Sequence, residues 1–330
     1  MIMFGFGSMI ENLKKNPKSI VLTDGTNPRI LEAASRLLAS NFVKPVLLGK
    51  SGEIEKAAEE AGYNIRGAEM IDPASYERFD EMAESYYEMR REKGMTREEA
   101  EKIMLEEHYF GTMLVKKKIV DCLLVSSTYS TAEIVRPALQ IIKTKHPGKI
   151  ASSCMILVRP SATGENEVLA MADCALNIKP TEEELVTICE DTVECARVFG
   201  VDPKVAFLSY STLGSGKGED VDRMRKAAEL AKKAMPDVPI EGELQFDTAV
   251  SPRVARTKCP ESKVAGYANT FIFPDLYSGN IGSKIAQRMG NFESFGPILL
   301  GLNAPINYLP RGCNALEVYS MCIVTAALAI

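Results

Sequence analysis

Histidine is almost missing from this 330-residue chain, which has two, His108 and His146. So few imidazoles argue against a histidine-ligated metal site or a Ser-His-Asp triad, and no metal is expected. Local sequence reads both as surface residues: His108 in the charged helical stretch Glu106-Glu-His108, His146 in a loop before Pro147. The eight cysteines, at 122, 154, 174, 189, 195, 259, 313 and 322, include no C-x-x-C pair. Zinc and redox spacings are therefore absent, and a chain of this size does not need disulfide staples. Buried reduced thiols in a cytoplasmic protein are the expectation. No apolar run approaches the ~20 residues of a membrane span, and the stretch Met1 to Ser8 lacks the basic start of a signal peptide. Positive charge is not in excess either: the net charge of −5 argues against nucleic acid as the main partner.

Hydrophobic residues make up 46% and charged residues 25%, ordinary for a globular protein, and the length suits two domains. Short apolar runs alternate with longer amphipathic ones, which predicts an α/β fold with mainly parallel sheets. Strands are expected at Ser19–Leu22, Pro45–Leu48, Cys122–Ser126, Ile150–Val158, Val205–Ser209, Thr270–Phe273 and Pro297–Leu300. Helices are expected at Arg29–Ser40, Glu133–Lys143, Glu182–Phe199, Val221–Ala234, Gly282–Met289 and Val318–Ile330. Asp80 to Glu107 reads as one long charged helical region, broken near Gly94 and restarted at Thr96. Proline and glycine in Thr144-Lys-His-Pro-Gly148 mark a boundary, so the sequence alone suggests two consecutive domains.

The last third is the most informative. Glu241-Gly-Glu-Leu-Gln-Phe-Asp247 and Phe273-Pro-Asp-Leu-Tyr-Ser-Gly-Asn-Ile-Gly282 each read as a strand running into a polar turn and a helix start. Backbone N–H groups collect there to meet an anion. Pro310-Arg-Gly-Cys-Asn-Ala-Leu-Glu317 sets an arginine beside a glycine, with a carboxylate six residues on. That pairs a fixed cation for oxyanions with a proton acceptor. The segment Gly214-Ser-Gly-Lys217 imitates a P-loop but fails its pattern, having Ser211 and Gly218 where the motif needs Gly and Ser or Thr. Nucleotide hydrolysis is not expected.

These segments, with Val135-Arg-Pro-Ala-Leu-Gln-Ile-Ile-Lys-Thr144 and Ser209-Tyr-Ser-Thr-Leu-Gly-Ser-Gly-Lys217, resemble the phosphate acetyltransferase (phosphotransacetylase) family through nearly the whole chain. The resemblance implies two α/β domains with an active-site cleft between them. Domain I would be discontinuous, residues 1–145 plus 298–330, and domain II would span 146–297. It further implies a cytoplasmic homodimer with no bound cofactor, taking coenzyme A or acetyl-CoA and phosphate or acetyl phosphate as substrates.

By the same resemblance Arg311 contacts the acyl phosphate and stabilises the transition state, a task for a planar bidentate fork. Glu317 falls where the family carries an aspartate proposed to deprotonate the CoA thiol; its other reading is a helix-start glutamate favoured by the dipole. Arg136, Arg29 and Arg90 match phosphate-side arginines, although Arg90 in Glu88-Met-Arg-Arg-Glu92 reads equally as an ion-paired surface residue. Ser130 and Thr131 lie in the hydroxyl-rich turn before Arg136, which is read as opening the helix that follows. Ser211, Thr212 and Lys217 would border the CoA or phosphate site, and Asn280 would join them. Asp247 and Asp275 are cleft-floor residues or turn caps, and Cys313 is rejected as a nucleophile.

Three positions depart from the family pattern. Pro310 replaces a serine that helps hold the developing oxyanion, Tyr129 a histidine, and Thr23-Asp24 a Pro-Glu pair. Losing one oxyanion donor slows such a reaction by about 10²–10³, or 3–4 kcal/mol. Two other readings therefore stay open: a phosphate propionyl- or butyryltransferase, and a catalytically impaired protein that binds CoA or acyl phosphate for regulation.

Overall fold

A computed structural model describes residues 6–161 and 166–330, so the first five residues of the N-terminal stretch read above lie outside it. The chain divides into two compact units. One comprises Met9–Lys145 with Leu302–Ile330; the other comprises the residues up to Ser8 with His146–Gly301.

The first unit carries a five-stranded, wholly parallel sheet in the order Ile306–Tyr308, Cys122–Val125, Lys18–Leu22, Val43–Leu48, Glu69–Ile71. Ile20, Val21 and Leu22 and the whole run Cys122–Val125 are buried, as strands covered on both faces require. The helix Pro28–Ser40 shows why the turns at the strand ends hold their shape. Asn27 caps it through its side chain, Pro28 supplies a preset φ at its first position, and Asn41 ends it in the left-handed region. Ile30, Leu31, Ala34 and Leu37 bury one face of this helix.

The charged region divides further than expected. Helices run over Phe79–Arg90 and Arg97–Met104, and a third begins at Glu107 and continues to Lys116. Burial of every residue from His108 to Val115 explains the third: it is a core helix, and the charge pattern ends where it starts. His108 is therefore not the surface residue its charged neighbours suggested; it is 4% exposed. The helix expected at Glu133–Lys143 begins earlier, at Thr131, because Ser130 and Glu133 form a reciprocal capping box. It widens into a π-turn over Ala138–Ile142 after Pro137.

The second unit carries a six-stranded sheet in the order Glu293–Leu300, Ser152–Pro160, Asn166–Ala172, Thr270–Ile272, Val205–Leu208, Ile240–Leu244. The first three strands pair antiparallel and the rest parallel. Helices Glu182–Val198 and Glu219–Ala234 pack with these strands, and a core forms around Leu157, Met171, Ala206, Leu244 and Phe271. All eight cysteines are free and buried. Among the described residues no helix is long and apolar enough to cross a membrane.

Candidate active site

In the first unit three adjacent parallel strands end in turns that carry the predicted chemistry: Thr23–Asn27, Ser126–Ser130 and Leu309–Asn314. Backbone and hydroxyl bonds link them in sequence. The Ser126 N–H donates to the Thr23 hydroxyl at 2.8 Å, and the Leu309 N–H donates to the Val125 carbonyl at 3.0 Å. Gly25 approaches the next strand so closely that its N–H reaches the Leu48 carbonyl at 3.1 Å, and a Cβ there would clash with that oxygen.

Arg29 ties the three turns together. Its Nε lies 3.3 Å from Asn27 Oδ1, Nη1 donates to the Cys313 carbonyl at 2.9 Å, and Nη2 donates to the Ser127 hydroxyl at 3.0 Å. Arg311 differs: it is exposed and forms no hydrogen bond or ion pair with a described residue. Its neighbour Cys313 is buried, and that burial pushes the thiol above its ordinary pKa, which disfavours the nucleophilic thiolate.

Glu317 sits in the first turn of the helix Ala315–Ala327. Its Oε2 accepts the Asn314 N–H at 2.7 Å, while its own N–H donates to Asn314 Oδ1 at 3.0 Å. The cap and the carboxylate are thus one arrangement, with Oε1 uncommitted among the described residues. Ser130 is likewise committed as the cap of the helix Thr131–Pro137, and the Thr131 hydroxyl lies 3.4 Å from that of Tyr308. Arg136 lies in the last turn of that helix, not at its opening, because the helix starts five residues before it. It is exposed there. Arg90 ends the helix Phe79–Arg90, half-buried, with Nε buried and without a partner among the described residues. It lines a cavity of about 460 Å³ with Lys93, Lys102, Ile103 and Glu106.

Sequence reasoning passed over Ser127 and Glu107 and took His108 for a surface residue. Glu107 Oε2 accepts the Asp24 N–H at 2.6 Å and so props the first turn; burial raises its pKa against that bond. His108 packs against Tyr129 with ring centroids 4.2 Å apart. Burial pushes the Tyr129 hydroxyl up to about 12, with Glu107 and Glu106 adding to the shift. The run of apolar residues after Glu107 was the available signal that this helix turns inward.

The other predicted residues belong to the second unit. There the loop Ser209–Gly218 is organised by Glu243, fully buried and missed in the sequence. Its carboxylate accepts the Ser211 hydroxyl and the Gly214 N–H, each at 2.8 Å, and meets Arg225 at 3.0 Å. Burial raises this carboxyl, but Arg225, Gly214 and Ser211 outweigh it and leave the pKa below the ordinary value. The Thr212 hydroxyl packs among Gln245 and Thr248 at 3.3 Å each. Ser211 and Thr212 are buried in the loop's own framework, whereas Lys217 is exposed. Asp275 caps the helix Leu276–Met289, and Asp247 accepts from the Thr248 N–H and Lys258. Asn280 donates to the Cys174 carbonyl at 2.9 Å, and neighbouring Gly279 packs so tightly on Asp173 that no Cβ fits.

Among the described residues no group of three or more His, Cys, Asp and Glu side chains is arranged to hold a metal.

Comparisons with known proteins agree along the whole chain. A family profile described as phosphate acetyl/butaryl transferase matches residues 6–326. A phosphate acetyltransferase of Bacillus subtilis (strain 168) is 43% identical over 325 residues, covering 98% of this chain and 99% of that one. One from Thermoanaerobacterium thermosaccharolyticum is 45% identical over 321 residues, 97% of each chain. A crystal structure of a phosphotransacetylase from Streptococcus pyogenes superposes with a TM-score of 0.92 at 46% identity, covering 98% of both chains.

Proposed function

The chain belongs to the phosphate acetyl/butaryl transferase family, and from that premise we propose that it transfers an acetyl group reversibly between coenzyme A and orthophosphate. The observation that carries the reading is the contrast between its two central arginines. Arg29 is consumed in holding the turns, while Arg311, on the segment so held, keeps an uncommitted guanidinium facing solvent. A cation on a preorganised support stabilises developing negative charge without reorganising during reaction.

In this reading the CoA thiolate attacks the carbonyl carbon of acetyl phosphate in a ternary complex, and phosphate leaves. The new bond is C–S and the broken one C–O. Glu317 accepts the thiol proton through Oε1 while Oε2 keeps the helix cap. Arg311 stabilises the oxyanion, and Arg136 and Arg90 supply positive charge for the phosphate. Ser130 and Thr131 fix the turn on which the phosphate rests; Ser211 and Thr212 shape the loop that presents Lys217, and Asn280 anchors its helix. Positioning of two bound substrates supplies much of the rate.

The protein acts in the cytoplasm, which suits eight buried free thiols. It works as a homodimer, a reading supported by the helix Leu276–Met289: Tyr277, Ile281, Ile285 and Met289 stand exposed at four-residue spacing, an apolar stripe fit to be covered.

The test is release of free thiol from acetyl-CoA on adding phosphate, wild type beside Arg311→Ala. Phosphate-dependent release that falls at least 10²-fold in the variant, the scale of one oxyanion donor, supports the reading. Faster release from propionyl- or butyryl-CoA would reassign the acyl group. No release from any of the three, with CoA still bound, would replace catalysis by ligand binding, for which Pro310 is the sequence feature.

A further inference from the structure

His108 is an anomaly in the first unit. Its side chain is 5% exposed, Nε2 lies 3.5 Å from a Glu106 carboxylate oxygen, and Nδ1 is buried with no hydrogen-bond partner among the described residues. Its ring packs 4.2 Å from Tyr129 at a 41° tilt and 4.9 Å from Tyr109 at 60°. Tyr109 lies on its own helix; Tyr129 lies in the turn whose Ser127 holds Arg29 and whose Ser130 caps the next helix.

Burial depresses the His108 pKa to about 4, so the imidazole is neutral near pH 7, although Glu133 pulls the other way. A buried polar atom without a partner destabilises the fold, a penalty a phenylalanine of similar shape avoids. Such orphans are rare in native folds and call for a reason beyond packing. The carboxylates near it, Glu106 just before its helix, Glu107 in its first turn and Glu133 on the helix after the turn, do not reach Nδ1.

We propose that His108 is a positioning residue for the acyl transfer. Its Nδ1 is held open for a hydrogen bond formed when substrate is bound. Through the ring stacked on Tyr129, that bond fixes the turn bearing Ser127 and Ser130, and with it the anchorage of Arg29. The inference rests on the transferase reading above. It joins two otherwise separate observations: an unsatisfied nitrogen retained in a packed interior, and an aromatic contact made directly to a site turn.

The experiment uses the full chain and the thiol-release assay. His108→Phe keeps the ring contact and removes both nitrogens. It is expected to lower kcat at least tenfold, leave KM for acetyl-CoA within twofold, and leave the melting temperature unchanged or higher. His108→Asn, which sets a polar atom near the Nδ1 position but lacks the ring, should lower kcat as His108→Phe does and leave KM within twofold, because the bond acts only through the ring on Tyr129. Tyr129→Leu should lower kcat too, and the double variant His108→Phe/Tyr129→Leu should be no slower than the slower single, since both act through one contact. If His108→Phe keeps kcat within twofold, or if the two losses multiply, the inference is overturned. Should His108→Phe fail to fold, His108→Asn with Tyr129→Leu carries the same test: at least tenfold losses of kcat in both, with the double variant no slower than the slower single, are expected, and a near-normal kcat in either or losses that multiply overturn it. A wild type silent with every acyl-CoA would sink the transferase reading, and this inference with it; an active wild type beside an undiminished His108→Phe sinks the inference alone.

Discussion

Arg29 and Cys313 are 284 residues apart in sequence, and the arginine Nη1 donates to the cysteine carbonyl at 2.9 Å. The same guanidinium donates from Nη2 to the Ser127 hydroxyl. One planar group thereby sets the spacing between the first strand-end turn, the turn after Cys122–Val125 and the segment carrying Arg311 and Glu317. A cation with this geometry acts as a fixed brace, and its fork is what makes it one.

Arg29→Lys should therefore behave as a loss, although the charge is kept. A lysine ammonium is a point charge that cannot reach both acceptors in the fixed fork geometry. The expected outcome is a lower melting temperature, equivalent to about 1.5–3 kcal/mol for hydrogen bonds to a charged group. Turnover should also fall at least tenfold. Scanning calorimetry and steady-state kinetics check both; full activity in the lysine variant would reduce Arg29 to a charge.

Glu317 has two duties that one pair of variants separates. Glutamine also completes a capping box, so Glu317→Gln should keep the cap at Asn314 while removing the proton acceptor. Its melting temperature should stay within a degree or two of wild type while kcat falls about 10²–10⁴-fold, the range for a general base. Glu317→Ala should lose both, including about 1 kcal/mol of cap energy. A fully active Glu317→Gln would leave the residue as a cap alone.

How much of this was legible beforehand depended on whether the signal was local. The helix Pro28–Ser40 was found to within one residue because Pro28 announces its start, and the strands Lys18–Leu22 and Cys122–Val125 because buried parallel strands are continuous apolar runs. The short strands Glu69–Ile71 and Ile306–Tyr308 were missed, because Glu69 and Asn307 leave no continuous apolar run in three residues. Asn166–Ala172 was missed although Val168–Ala172 is a continuous apolar run. At the site, Arg29 and Arg311 are visible as types and positions. The difference between them, one consumed and one free, exists only once three distant turns meet. His108 misled because the charged residues before it belong to a different structural environment from the apolar ones after it.

Glu243 carries the second unit's loop in the way Arg29 carries the first unit's turns. Glu243→Ala would leave the Ser211 hydroxyl and the Gly214 N–H without their acceptor and Arg225 without its partner. Removing one member of a fully buried pair costs about 3–5 kcal/mol. Arg225 is 37% exposed, so a smaller loss of about 2 kcal/mol is expected. The loop should become cleavable at exposed Lys217, and limited trypsin digestion followed by mass spectrometry reads that site directly. Resistance equal to wild type would show that the loop holds without its carboxylate.

Acid stability should turn on one buried imidazole. His108 in the folded chain titrates at about 4, against the ordinary 6.5. Between those values the unfolded chain binds a proton that the folded chain refuses, so stability rises with pH through this window and is lost as pH falls through it. A gap of about 2.5 units sets the loss near 3 kcal/mol at most, complete below pH 4 and absent above pH 7. Glu107, raised by burial, works in the opposite sense, but it is present in wild type and variant alike and cancels in their difference. Urea unfolding of wild type and His108→Phe at pH 7.0, 5.5 and 4.5 should therefore show curves that diverge steadily in acid, the phenylalanine variant losing less. Parallel curves would mean that His108 is protonated in the folded protein as readily as in the unfolded one, and its buried, neutral state would have to be given up.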